Sequence, residues 1–168
     1  MFPRTVAVLV ILVVASSVLS ADDAWLIRDD GLGSAKIGMT LSQLRAALHE
    51  RVTEGRPSGS EGCWYVKSSS HPHISFMILD GRFVRTDVDA RGIPTIEGIQ
   101  VGDSESKARR TYGAQMTVQP HKYIDDGHYL TIRSRDGKYG IRFETEKGKI
   151  TSFYAGRFSA IQYVEGCE

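Results

Sequence analysis

Two stretches decide the fold: Ile37-Gly38-Met39-Thr40-Leu41-Ser42-Gln43-Leu44-Arg45-Ala46-Ala47-Leu48, and Val101-Gly102-Asp103-Ser104-Glu105-Ser106-Lys107-Ala108-Arg109-Arg110-Thr111-Tyr112. Each runs aliphatic residue, glycine, spacer and hydroxyl residue, then a short helical segment. A hydroxyl at the boundary is a natural N-cap, because its oxygen accepts from the free N–H groups of the first turn. Thr40 with Gln43 three residues on reads as a capping box. Leu41, Leu44 and Leu48 recur at helical spacing and are expected to face a core, as are Ala108 and Tyr112 in the more polar second helix. Gly113 suits the end of that helix.

Strand-like sequence follows each helix. The first half predicts strands at 63–66, 74–79 and 83–88, and the second at 128–132, 139–144 and 150–154, with a final strand at 160–164. Asp80-Gly81, Asp126-Gly127, Asp136-Gly137 and Lys147-Gly148 punctuate them with turn chemistry. Short hairpin links require antiparallel neighbours. The segments 56–62 and 90–94 read as surface loops, the second joining the halves. The expected fold class is α+β. Two tandem units, each a helix plus three to four antiparallel strands, form one continuous curved antiparallel sheet with the helices on one face. Ile141 and Phe143 alternate with Arg142 and Glu144, so the other face is expected to be wet. Strand 74–79 is apolar on both faces, as a covered central strand would be, or one that meets a partner.

Ahead of this domain, Arg4, the apolar run 6–14 and the small residues Ala15, Ser16, Ser17, Ser20 and Ala21 follow the order of a secretory leader. The expected boundaries are 1–21 for the leader, 22–94 for the first unit and 95–168 for the second. The apolar run is too short to span a bilayer unaided. Removing Arg4 from 21 basic residues leaves 20 against 20 acidic ones. That balance argues against a general polyanion binder, nucleic acid included. Cys63 and Cys167 are the two cysteines, and an even count in an exported chain predicts a disulfide between them.

The paired motifs, with the later hairpin closed by Asp80-Gly81-Arg82, resemble the bacterial SmpA/OmlA (BamE-like) repeat. Two such units in one exported chain resemble the tandem fold of β-lactamase inhibitor proteins. The resemblance covers most of residues 33–155, and the second copy has Asp103 where the first has Met39. It implies a cell-envelope binding protein that uses an open sheet face against a protein partner.

No phosphate-cradling glycine loop and no nucleophile elbow are present. His71 and His73, two apart in an extended segment, could reach one metal, but a solvated loop is the simpler reading. Asp125-Asp126-Gly127-His128 reads as a polar turn. Asp87 and Asp89 could form a carboxylate pair, although a wet strand with local ion pairs is the plainer account. The expectation is therefore a non-enzymatic, monomeric, periplasmic or secreted protein that binds a protein partner, of inhibitor or immunity type, with no cofactor, metal or membrane anchor. Its candidate contact residues are Tyr65, Arg85, Asp87, Tyr129, Arg142 and Glu144, because tyrosine and arginine are favoured interface anchors. The alternative is a glycan or small-ligand binder with Trp25, Trp64 and Tyr123 around a pocket, Trp64 otherwise packing against the disulfide. A small hydrolase ranks third.

Overall fold

The computed structural model describes residues 25–54 and 62–167; the leader and most of the 56–62 loop lie outside them. The chain is mixed α+β. Three two-residue strands, β1 (Ile27–Arg28), β2 (Gly31–Leu32) and β3 (Ala35–Lys36), form a small antiparallel meander. Helix α1 (Leu41–Leu48) follows, then β4 (Val52–Glu54), β5 (Cys63–Ser68), β6 (Ile74–Leu79) and β7 (Arg82–Val88). Helix α2 (Glu105–Tyr112) precedes β8 (Met116–Pro120), β9 (His128–Arg133), β10 (Tyr139–Glu146) and β11 (Lys149–Arg157). The last eight strands form one antiparallel sheet in the order β4-β5-β6-β7-β11-β10-β9-β8.

Local chemistry explains the helix starts. The Thr40 side chain accepts from Gln43 N–H while the Gln43 side chain accepts from Thr40 N–H, which closes the capping box. Ser104 accepts from Lys107 N–H at the start of α2. The β6–β7 and β10–β11 hairpins turn on Asp80-Gly81 and Lys147-Gly148, with both residues of each pair at positive φ. That conformation matches the right-handed twist of the flanking strands. Each hairpin then slips register, at Met77/Ile78 and at Glu144/Thr145.

One continuous core fills the helix side of the sheet. Phe76, Phe83, Phe143 and Phe153 are fully buried there with Leu44 of α1 and Ala108 of α2. Phe76 meets Phe83 edge to face at 5.6 Å, and Phe143 meets Phe153 at 5.3 Å. The meander closes one end: Ile27, Leu32 and Ala35 join the core, and Ile27 N–H donates to Pro94 O at 3.0 Å. Residues 27–36, 52–54 and 116–120 were not expected to form strands, because runs of two to five residues carry too little alternation to register.

Segment 160–164, expected to be a final strand, is not one. Residues Ala160–Gln162 form a 3₁₀ turn whose Ala160 and Ile161 are buried. Strand β11 already has β7 on one edge and β10 on the other, so the chain leaving it meets no free edge and lies across the sheet instead. Strand β6 is interior and covered on both sides. Ile74, Phe76 and Ile78 join the main core, while Met77 packs with Cys63, Val84 and Ala160 on the far side.

Candidate functional site

Strand pairing carries the outer side chains across the sheet in rows. Lys67, Ser75, Asp87, Tyr154, Arg142 and Thr131 are neighbours from β5 to β9. A parallel row places Ser152 beside Glu144 and Glu144 beside Tyr129. On the other flank Tyr65 pairs with Met77 and Met77 with Arg85. All six contact candidates therefore stand on the face turned away from the main core.

That face is not the open, wet surface that alternation predicts. Residues 158–167 cross it and are tied down by the Cys63–Cys167 disulfide. Arg85 and Arg142 are only 3% and 5% exposed, and Tyr129 is 5% exposed. Alternation along a strand reports which face a side chain takes; it cannot report a remote segment laid over that face.

Arg85 is the hub. Its Nε and Nη2 donate to the two Asp87 carboxylate oxygens, each at 2.7 Å. Nη2 also donates to Tyr65 Oη at 2.7 Å, and Nη1 donates to Ala160 O at 3.0 Å and Tyr163 O at 2.7 Å. The guanidinium lies over the Tyr154 ring at 4.3 Å, and Tyr154 Oη donates to Glu144 at 2.9 Å. Burial works against the Arg85 cation, but the adjacent Asp87 carboxylate outweighs it and holds the guanidinium above its ordinary pKa. Burial raises the Asp87 carboxyl, with Arg85 and Tyr65 pulling it back down. Burial, reinforced by Asp87 and Glu144 respectively, pushes the Tyr65 and Tyr154 phenols well up.

A second cluster adjoins the first. Arg142 Nε donates to Thr131 Oγ1 at 2.9 Å, and its Nη2 donates to Gln162. Tyr129 stacks on His121 with centroids 4.4 Å apart. His121 Nδ1 accepts from Tyr123 N–H, so its buried Nε2 faces Glu144 Oε2 at 3.6 Å.

Beside the C-terminal segment the face opens into a cleft of about 400 Å³, walled by Tyr65, Lys67, Asp87, Asp89, Glu144 and Tyr154. Four of the six expected contact residues, Tyr65, Arg85, Asp87 and Glu144, reach this cleft. Arg85 reaches it with every donor committed, and Arg142 and Tyr129 lie outside it. No family model, no curated protein and no solved structure matches this chain.

The other candidates are dispersed. His71 packs against Trp25 in a tilted arrangement with ring centroids 3.7 Å apart, whereas His73 pairs with Asp89 at 2.8 Å, so the two imidazoles serve different neighbours. His128 Nδ1 lies 3.1 Å from Glu105 on α2, away from Asp125. Trp25, Trp64 and Tyr123 do not share a pocket. Trp64 packs against the main core rather than the disulfide, because it points to the opposite face from Cys63. Tyr123 is 57% exposed and contacts Lys122 and Glu165. Tyr154 and Lys67 are cleft residues that sequence reasoning missed. Tyr154 alternates with Phe153 on β11, but its contribution depends on pairing with Asp87, 67 positions away in the chain.

Proposed function

We propose that this protein is an exported, non-enzymatic binding protein of the bacterial cell envelope that engages a protein partner at the outer-face cleft. The observation that carries this reading is the fixing of Tyr65 and Asp87 by Arg85 beside an accessible cleft. Side chains already held in place lose little conformational freedom on binding, so contacts made there convert efficiently into affinity. Arg85 and Arg142 support the surface from beneath rather than touch the partner. The leader pattern at 1–21 and the Cys63–Cys167 bond support an oxidising, extracytoplasmic address. Among the described residues no helix is long and apolar enough to cross a membrane.

Matching hydrogen bonds support the tandem-unit reading. Gly38 N–H donates to Phe83 O, and Phe83 N–H to Met39 O, both at 2.8 Å; Gly102 N–H donates to Ile150 O at 2.8 Å, and Ile150 N–H to Asp103 O at 2.9 Å. In each half the N-cap residue bridges the first residue of the last strand, Thr40 to Arg82 and Ser104 to Lys149. This correspondence favours a duplicated unit of the SmpA/OmlA (BamE-like) kind, with one sheet curving behind two helices.

The test is site-specific photocrosslinking in the native envelope. A photoreactive residue at Lys67, on the cleft wall, should give a discrete adduct that Asp87→Asn with Glu144→Gln diminishes. The same probe at Arg110 on α2 should give none. Equal adducts at both sites, or none at Lys67, would remove the protein-partner reading. The size of the cleft favours one alternative, a glycan or other small ligand seated between Tyr65 and Tyr154. Quenching of intrinsic fluorescence by glycan fragments, without any crosslinked protein, would select it.

A further inference from the structure

Arg133 ends β9, Lys138 lies in the loop before β10, and Arg157 ends β11. Strand pairing gathers them. Arg157 stands opposite Tyr139, Arg133 opposite Gly140, and Phe158 N–H donates to Lys138 O at 2.8 Å. The three cations line a cleft of about 520 Å³ together with Ile37 and Gly38, with no carboxylate among its lining residues. In a chain whose charges nearly balance overall, this local excess stands out.

Arg133 is held ready. Its guanidinium lies 4.2 Å from the Phe158 ring centroid, and Nε donates to Gly137 O at 3.0 Å. Neither terminal nitrogen donates to a described group, so one edge of the planar fork is left for an anion. The Arg157 side chain makes no hydrogen bond or ion pair with a described residue. Asp136 accepts from Ser134 Oγ and Lys138 N–H and lies 3.7 Å from Lys138 Nζ, and the Asp29 and Glu97 carboxylates lie in an adjoining cleft that Arg133 also lines. Asp136 offsets Lys138, while neither Arg133 nor Arg157 forms an ion pair with a described carboxylate.

We propose that this cleft binds a dianionic phosphoryl group of the kind a phosphomonoester carries. Two guanidinium groups free of direct ion pairs match a charge close to two, which a phosphomonoester bears above its second pKa of about 6. A carboxylate or a phosphodiester carries only one charge and would leave one arginine unmatched. Ser159 and Tyr139 add hydroxyl groups to the same walls. The site is separate from the outer-face cleft, so neither reading depends on the other.

The experiment is an amide-resolved NMR titration at pH 7.5 and fixed ionic strength with glycerol 3-phosphate, acetate serving as the singly charged control. Glycerol 3-phosphate should shift the amides of Gly137, Lys138, Arg157 and Ser159 saturably, and acetate should not. The double variant Arg133→Gln with Arg157→Gln should weaken binding at least tenfold, while Arg110→Gln on α2 leaves it unchanged. If that double variant loses its native spectrum, Lys138→Gln alone should weaken binding measurably. Equal responses to acetate, or unchanged affinity in the cleft variants, would overturn the proposal. Sedimentation with phosphatidic acid vesicles then places the phosphoryl group on a lipid; a response to glycerol 3-phosphate without sedimentation places it on a soluble ligand.

Discussion

Arg85 Nη1 donates to Tyr163 O at 2.7 Å, joining the middle of β7 to a main-chain carbonyl 78 residues further on. Through that bond and its partner to Ala160, a buried cation holds the C-terminal segment against the sheet. The same guanidinium neutralises Asp87, so one side chain serves both the roof and the floor of the site.

Replacing Arg85 with Met is expected to destabilise the protein by about 3 kcal/mol, because it leaves a half-buried carboxylate and two carbonyls without their donor. Changing Asp87 to Leu in the same chain should restore part of that loss, since no charge is then stranded. Urea denaturation midpoints of the two variants decide the matter; equal midpoints would mean that the ion pair is not the source of the cost.

The disulfide closes a separation of 104 residues. Chain entropy assigns such a loop at most about 4–5 kcal/mol. Changing both Cys63 and Cys167 to Ser should lower the melting temperature and raise hydrogen exchange at 158–167 before the rest of the sheet responds. Exchange confined to other segments would show that Arg85 and the buried Ile161 hold the segment without the covalent tie.

Two glycines should differ sharply on replacement by Ala. At Gly81 an added methyl group meets open space, and the cost is the positive φ of +73°, about 1 kcal/mol. At Gly140 the methyl group would stand 2.5 Å from Ile132 O and 2.9 Å from the Ile161 side chain. There overpacking should cost about 2–3 kcal/mol and displace the 3₁₀ turn. Thermal denaturation of both variants gives the comparison.

Glu105 makes stability depend on pH. Burial opposes its charge, but bonds from Arg109, Thr145 and His128 more than compensate and hold its carboxyl below the ordinary value of 4.5. A depressed carboxylate contributes its stabilisation above its unfolded pKa and loses it as pH falls through the folded one. Stability should therefore decline on acidification below about pH 4.5. Glu105→Gln should be less stable at pH 7 and show a shallower decline, as measured by urea titrations from pH 7 to pH 3. A parallel decline in both proteins would assign the acid sensitivity to other groups.

The sequence by itself settled the local matters: the caps at Thr40 and Ser104, the turns at Asp80-Gly81 and Lys147-Gly148, the six main strands and the side of the sheet that each candidate residue takes. Those follow from interactions within a few residues, where hydroxyl caps, positive φ and two-residue alternation leave few choices. Only the tertiary structure decided that β7 and β11 lie side by side, that residues 158–167 cover Arg85 and Arg142, and that Tyr154 meets Asp87 while Arg133, Lys138 and Arg157 line one cleft. Each of those depends on contacts between distant parts of the chain, and such contacts leave no periodic mark in the residues that make them.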